Sequence, residues 1–165
     1  MDAELRQWID EAAIRKVHMR YCRAIDRMDW DLLRSCYHPD AIDDHGEYRG
    51  GIDGFVEYCK AGTPNFHRTF HFTGNHLIEV EGDSAWAEYY SIAYHRIAAN
   101  ADGPERDLIS CARYVDRMER RGGEWRIAHR TVIVDFDRAD GVSARWVPVG
   151  QLRGTRDRTD PSYPG

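Results

Sequence analysis

The sequence predicts an α+β domain: a curved antiparallel sheet wrapped around N-terminal helices, a cone-shaped α+β barrel with an internal pocket. Two observations lead there. Apolar residues keep the three-and-four spacing of helices only before Pro64, whereas from Thr69 onward four long stretches alternate with the period of strands. Short turn signals join those stretches, so consecutive strands must pair antiparallel. At 165 residues the chain has the size of one domain with room for a substantial core.

The first helix runs from Ala3 to about Arg27, with Leu5, Trp8, Ile9, Ala12, Ala13, Val17, Tyr21, Ala24 and Ile25 as its buried stripe. Asp29 caps a second helix through Trp30, Leu32, Leu33, Cys36 and Tyr37, which His38-Pro39-Asp40 ends because proline cannot continue the hydrogen-bond ladder. Ala41 to Gly50 reads as a short extended pair with Asp43, Asp44, His45 and Gly46 at its turn. A third helix opens at Gly51-Ile52-Asp53-Gly54, buries Ile52, Phe55, Val56 and Cys59, and stops at Gly62 and Pro64. Strands follow over Thr69–Glu81, Ser84–Ile97, Arg106–Arg121 and Glu124–Phe136. The domain is thus expected over residues 1–136. Residues 137–165 form a tail or subunit arm, anchored if anywhere by Trp146, Val147, Val149 and Leu152.

Net charge is −5 with acids and bases interspersed, so no basic face advertises nucleic acid or anionic lipid. Cys22, Cys36, Cys59 and Cys111 form no CxxC pair, which removes a zinc knuckle or redox motif and suits a reducing cytoplasm. The first residues lack the blocks of a signal peptide, and no apolar run is long enough to span a bilayer. GxSxG, dinucleotide and P-loop patterns are absent, and no histidine pair lies on a helix with the spacing of a zinc enzyme. A metal site from His67, His71 and Asp43-Asp44-His45 is the weaker competitor; neither metal nor cofactor is expected.

Alternation places Phe70, Phe72, Gly74, His76, Ile78 and Val80 on one face and His71 on the other, with Thr69, Thr73, Asn75 and Leu77. That second row is polar but uncharged, as befits a pocket wall, and makes His71 a candidate base. Asp26 sits at the C-terminal end of the first helix, where the macrodipole disfavours a carboxylate, and Tyr21 precedes it by five residues. In the last strand, alternation groups Trp125, Ile127 and His129 against Arg126, Ala128 and Arg130, and a buried Arg130 requires an anion from substrate or a nearby acid. Base, orienting carboxylate, phenol and guanidinium together are the parts of general-base catalysis.

The run Arg20-Tyr21-Cys22-Arg23-Ala24-Ile25-Asp26-Arg27-Met28-Asp29-Trp30, the strand Thr69-Phe70-His71-Phe72 and the closing Glu119-Arg120-Arg121-Gly122-Gly123-Glu124-Trp125-Arg126-Ile127 resemble the SnoaL-like branch of the nuclear transport factor 2-like superfamily over residues 3–136. Within it, His71 and Asp26 look like the His/Asp dyad of scytalone dehydratase, the bile acid dehydratase and hexachlorocyclohexane dehydrochlorinase. Tyr21 and Arg130 match further active-site positions of those lyases. The second histidine of scytalone dehydratase has no counterpart by strand parity, since His95 and His129 fit poorly.

The resemblance implies a cofactor-independent lyase acting on a small cyclic apolar substrate, with Phe55, Phe70, Phe72, Tyr89, Tyr90, Tyr94 and Tyr114 as its walls. The alternatives are a non-catalytic binding module or accessory subunit, and a double-bond isomerase or cyclase in the same pocket. A small molecule is the expected partner, together with copies of the chain itself. Apolar residues on the outer sheet face (Trp86, Ile92, Ile109, Val115) invite such copies, and the resemblance implies a trimer or dimer.

Overall fold

The computed structural model describes residues 2–101, 103–142 and 150–163. Helix α1 spans Ala3–Arg27; the Asp2 side chain accepts from the Glu4 N–H at its start, and Met28, in the left-handed region at φ 52°, ends it. Its buried stripe begins later than periodicity predicts. Ile14, Val17, His18, Tyr21, Cys22 and Ala24 enter the core, whereas Leu5, Trp8 and Ile9 are exposed. In the second and third turns the buried contact is polar: Asp10 accepts from Arg120 and from the Trp125 indole N–H.

Helix α2 covers Trp30–Ser35, capped by the Asp29 side chain on the Leu32 N–H. It is shorter than expected because Tyr37 already begins strand β1, Tyr37–Asp44. His38, Pro39 and Asp40 therefore lie inside a strand. The proline is tolerated there because the pairing of β1 with the last strand is interrupted between Tyr37 and Ile42. Strand β2 (Arg49–Gly51), helix α3 (Ile52–Gly62) and a 3₁₀ turn (Thr63–Asn65) follow. Four long strands complete the sheet: β3 (Phe66–Glu81), β4 (Ser84–Ile97), β5 (Arg106–Arg121) and β6 (Glu124–Gly141), the last extending past the expected Phe136.

The six strands form one curved, unclosed sheet in the order β2-β1-β6-β5-β4-β3. The long strands pair antiparallel in sequence, while β1 joins β6 in parallel. On the concave side, Ala85, Ala87, Tyr89, Ser91 and Ala93 of β4 are buried. Helix α1 lies closest to β3 and β6, and Ile14, Val17, Tyr21, Ala85, Ala87, Tyr89, Met118 and Ile127 share one core.

Two irregularities reverse the alternation. Asn75 has φ 46° where the β3–β4 register shifts between Gly74 and Leu77, so Thr69 and His71 face inward before it and Ile78 faces inward after it. In β6 the register shifts opposite Arg117 and Met118, Ala128 is the extra residue, and Trp125, Ile127 and Arg130 all end up buried. Arg130 thus shares a side with Trp125, contrary to simple alternation.

The tail returns to its own domain. Arg156 Nη1 donates to the carbonyl oxygens of Phe66 at 2.5 Å and Thr63 at 3.3 Å, Arg158 pairs with Asp29 at 2.9 Å, and Arg27 meets Asp160 at 3.2 Å. Leu152 is exposed and anchors nothing, while Trp146, Val147 and Val149 lie outside the described residues. No described helix is long and apolar enough to cross a membrane.

Candidate active site

A cavity of about 640 Å³ opens inside the curved sheet, walled by α1, α3 and the concave faces of β3 to β6. Its volume is that of a small-ligand site. A cleft of about 570 Å³ between α1, α2 and the tail is different in kind: its Arg20, Arg23 and Arg158 are already committed to Ser35, Ser162 and Asp29.

His71 stands on the cavity wall, and Asp26 holds it twice. Its Nδ1 lies 2.7 Å from Asp26 Oδ1, and its backbone N–H donates to Oδ2 at 3.0 Å. An ionised carboxylate only accepts, so Nδ1 carries the proton and Nε2 is the ring nitrogen left for a ligand. Burial pushes the Asp26 carboxyl up, but the His71 side chain and backbone N–H outweigh it and hold the group below its ordinary value. The two donors from His71 also offset the unfavourable position of Asp26 at a helix C-terminus.

Tyr21 also lines the cavity, and its hydroxyl lies 3.2 Å from His45 Nε2. Burial, followed by the neighbouring Tyr114, pushes its phenol well above the ordinary value, so it remains a proton donor. Arg130 lies behind this wall instead of on it. Fully buried, it donates from Nε and Nη2 to both Asp116 oxygens at 2.7 and 2.6 Å, and its guanidinium sits 4.0 Å from the Tyr21 ring centre. The anion that the sequence requires for Arg130 is therefore Asp116, and the arginine's contact with the site runs through the rings of Tyr21 and Tyr114.

Of the expected aromatic walls, Phe55 and Tyr114 line the cavity. Tyr89 is fully buried in the core, stacked on His18 at 3.8 Å. Phe70 and Phe72 are a correction. They alternate with His71 and so lie on the outer sheet face, about 60% exposed. Tyr90 and Tyr94 belong to the same outer face, Tyr94 donating to Asp107 at 2.7 Å.

Two residues of the wall escape the sequence reading. His95, set aside by strand parity, faces the cavity edge-on to His71 with ring centres 5.4 Å apart. Burial lowers its pKa to about 4, which keeps the ring neutral. The signal is the run of small residues Ala85, Ala87, Ser91 and Ala93, which marks the odd positions of β4 as its inward face, and His95 continues that row. His45 comes from a polar turn that reads as solvated, yet its ring stacks on Phe55 at 4.6 Å and its Nδ1 makes a short hydrogen bond to the fully buried Asp43. Among the described residues no group of three or more His, Cys, Asp or Glu is placed to hold a metal ion.

Residues 6–131 match the SnoaL-like domain. An uncharacterised protein of Mycobacterium tuberculosis is 29% identical over 126 residues, covering 73% of this chain and 82% of its own. Among solved structures, a hexachlorocyclohexane dehydrochlorinase from Novosphingobium barchaimii superposes with TM-score 0.76 at 19% identity, covering 88% of this chain and 99% of its own. A proposed scytalone dehydratase from Novosphingobium aromaticivorans gives TM-score 0.73 at 19% identity, covering 89% and 97%. At that identity the two structures establish the fold alone. The family match spans most of the chain, over the same elements that build the cavity, and the chain belongs to the SnoaL-like family.

Proposed function

We propose that the protein is a cofactor-independent lyase, of dehydratase or dehydrohalogenase type, acting on a small cyclic apolar substrate. One observation carries the reading: an imidazole fixed in one tautomer by a buried carboxylate, on the wall of a cavity of about 640 Å³. His71 Nε2 takes a proton from the carbon beside a carbonyl or leaving group, and Asp26 stabilises the imidazolium that forms. Tyr21 donates toward the charge that develops on the other side of the breaking bond. General-base help of this kind supplies roughly 10²- to 10⁴-fold, with positioning by the walls adding the rest. The dehydrochlorinase and the proposed dehydratase of the same fold favour this reaction class.

The test is turnover of a panel of cyclic β-hydroxy ketones and cyclic halides by the wild type and by His71→Ala and Asp26→Asn. Loss of turnover in His71→Ala, with ligand-induced thermal stabilisation retained, supports the lyase. Binding without turnover in the wild type favours a binding module instead. Self-association belongs to the same reading: Phe70, Phe72, Ile92 and Phe136 are exposed together on the outer sheet face, an apolar area suited to a second copy of the chain.

A further inference from the structure

The lyase reading uses one histidine dyad, but a second lies at the opposite end of the sheet. His71 belongs to the edge strand β3, whereas His45 stands in the turn between β1 and β2 at the other edge. His45 Nδ1 meets Asp43 Oδ1 in a short hydrogen bond, and its Nε2 lies 3.2 Å from the Tyr21 hydroxyl. Asp43 is itself fixed: its Oδ2 accepts from the Tyr37 hydroxyl at 2.6 Å, and that hydroxyl accepts from Arg130 Nη1 at 3.4 Å.

Charge balance decides which way these protons point. Asp43, Asp116 and Arg130 are fully buried in one connected cluster. Asp116 accepts two N–H bonds from the guanidinium, the geometry of an ionised carboxylate. His18, whose Nδ1 accepts from Arg130 Nη2, is neutral, and Tyr21 and Tyr37 keep their protons. One guanidinium cannot offset two carboxylates, and uncompensated charge in a dry interior is costly. One more proton on the Asp43–His45 pair closes the balance. Whether it sits on Asp43 Oδ1 or His45 Nδ1, the other ring nitrogen, Nε2, then bears hydrogen. His45 therefore donates to the Tyr21 oxygen, and the Tyr21 O–H is free to turn into the cavity.

We propose that Tyr21 is the catalytic acid of this site, recharged by His45 and Asp43, and that the substrate is a β-hydroxy carbonyl compound. The proposal rests on the lyase reading and narrows it. Hydroxide is a poor leaving group whose departure is greatly accelerated by a proton donor, whereas halide needs no proton. As the C–O bond breaks, the Tyr21 proton goes to the departing oxygen and the His45 Nε2 proton moves to Tyr21. His71 takes the carbon-bound proton, and that C–H electron pair becomes the double bond. Water and an alkene conjugated to the carbonyl result. His71 then loses its proton to solvent and His45 takes one up, which restores the starting state.

The experiment compares a cyclic β-hydroxy ketone with its β-chloro counterpart in the wild type, Tyr21→Phe, His45→Gln and His71→Ala. Tyr21→Phe and His45→Gln should lower kcat on the hydroxy ketone by about a hundredfold or more, and at least about tenfold more than they lower it on the chloride. His71→Ala should remove both. Equal losses on both leaving groups would show that Tyr21 and His45 only hold the cavity in shape, and would overturn the relay. ¹⁵N-histidine NMR of the unmutated full chain decides the point without relying on a substrate or on a variant that folds. The His45 Nε2 resonance should be that of a protonated nitrogen. A bare Nε2 refutes the relay even if turnover is found. No turnover of either probe, with Nε2 protonated, sinks the lyase reading and leaves the donor network in place.

Discussion

Replacing Asp116 by Asn tests the buried charge cluster most directly. The Asp116 and Arg130 side chains have no solvent exposure and meet through two hydrogen bonds of 2.6 and 2.7 Å. Burial alone would drive the guanidinium to give up its proton, but Asp116 outweighs it, and Arg130 stays charged well above its ordinary range. Asn keeps the shape of Asp but removes the charge, so the guanidinium is left with Tyr37, His18 and the faces of Tyr21 and Tyr114. Breaking a buried pair on one side costs about 3–5 kcal/mol. At roughly 2–4 °C per kcal/mol for a chain of this size, Tm should fall by about 6–20 °C. Urea titration and calorimetry at pH 7 measure both quantities. The double variant Arg130→Met with Asp116→Leu removes both charges and should be markedly more stable than Asp116→Asn, because no ion is then stranded. A cost for Asp116→Asn below about 1 kcal/mol, or a double variant no better than the single one, would refute the cluster as the electrostatic centre of the fold.

Three further outcomes follow from particular contacts. Because the folded-state pKa of Asp26 is depressed, its contribution to stability is fully present above the unfolded carboxylate value of about 4 and is lost as pH falls through the lower folded value; urea midpoints of wild type and Asp26→Asn should converge on acidification, and a gap that widens toward low pH contradicts the sign. Asn75 holds the left-handed conformation at the β3 bulge, so Asn75→Val should cost about 1–2 kcal/mol while Asn75→Gly changes stability by less than about 0.5 kcal/mol, as read from urea denaturation; equal effects would mean that the bulge does not require that conformation. If copies of the chain associate through the outer face, Phe72→Glu should lower the sedimenting mass with the far-UV spectrum unchanged, whereas an unchanged mass places the contact elsewhere.

What the sequence shows of this molecule, and what it hides, has a common physical origin. Periodicity reports how residues repeat along one element, so α1 and the long strands were legible nearly to their ends. Alternation also separated His71 from Phe70 and Phe72, as the sheet does. The aromatic walls failed for another reason: this sheet is apolar on both sides, and composition does not tell a concave face from an outer one. Phe70 and Phe72 were therefore assigned to a cavity on which they turn their backs.

Bulges are the second obstacle. A single extra residue at Ala128 carries Arg130 to the side of Trp125 and Ile127, and left-handed Asn75 lets His71 and Ile78, of opposite parity, share the interior. The third obstacle is distance along the chain. The sequence offers Asp26 as an orienting carboxylate for His71 by residue type, and the family resemblance makes the two a dyad although they stand 45 positions apart. His45 had no such help. Its neighbours Asp43, Asp44 and Gly46 have the composition of a solvated turn, and only the parallel pairing of β1 with β6, with Asp43 opposite Arg130, brings that turn to the buried charges. The cavity thus depends on a β1–β6 pairing that local periodicity does not encode. Shifting that register by one residue would turn Asp43 and Tyr37 to the other face, away from Arg130, even with every helix and long strand intact.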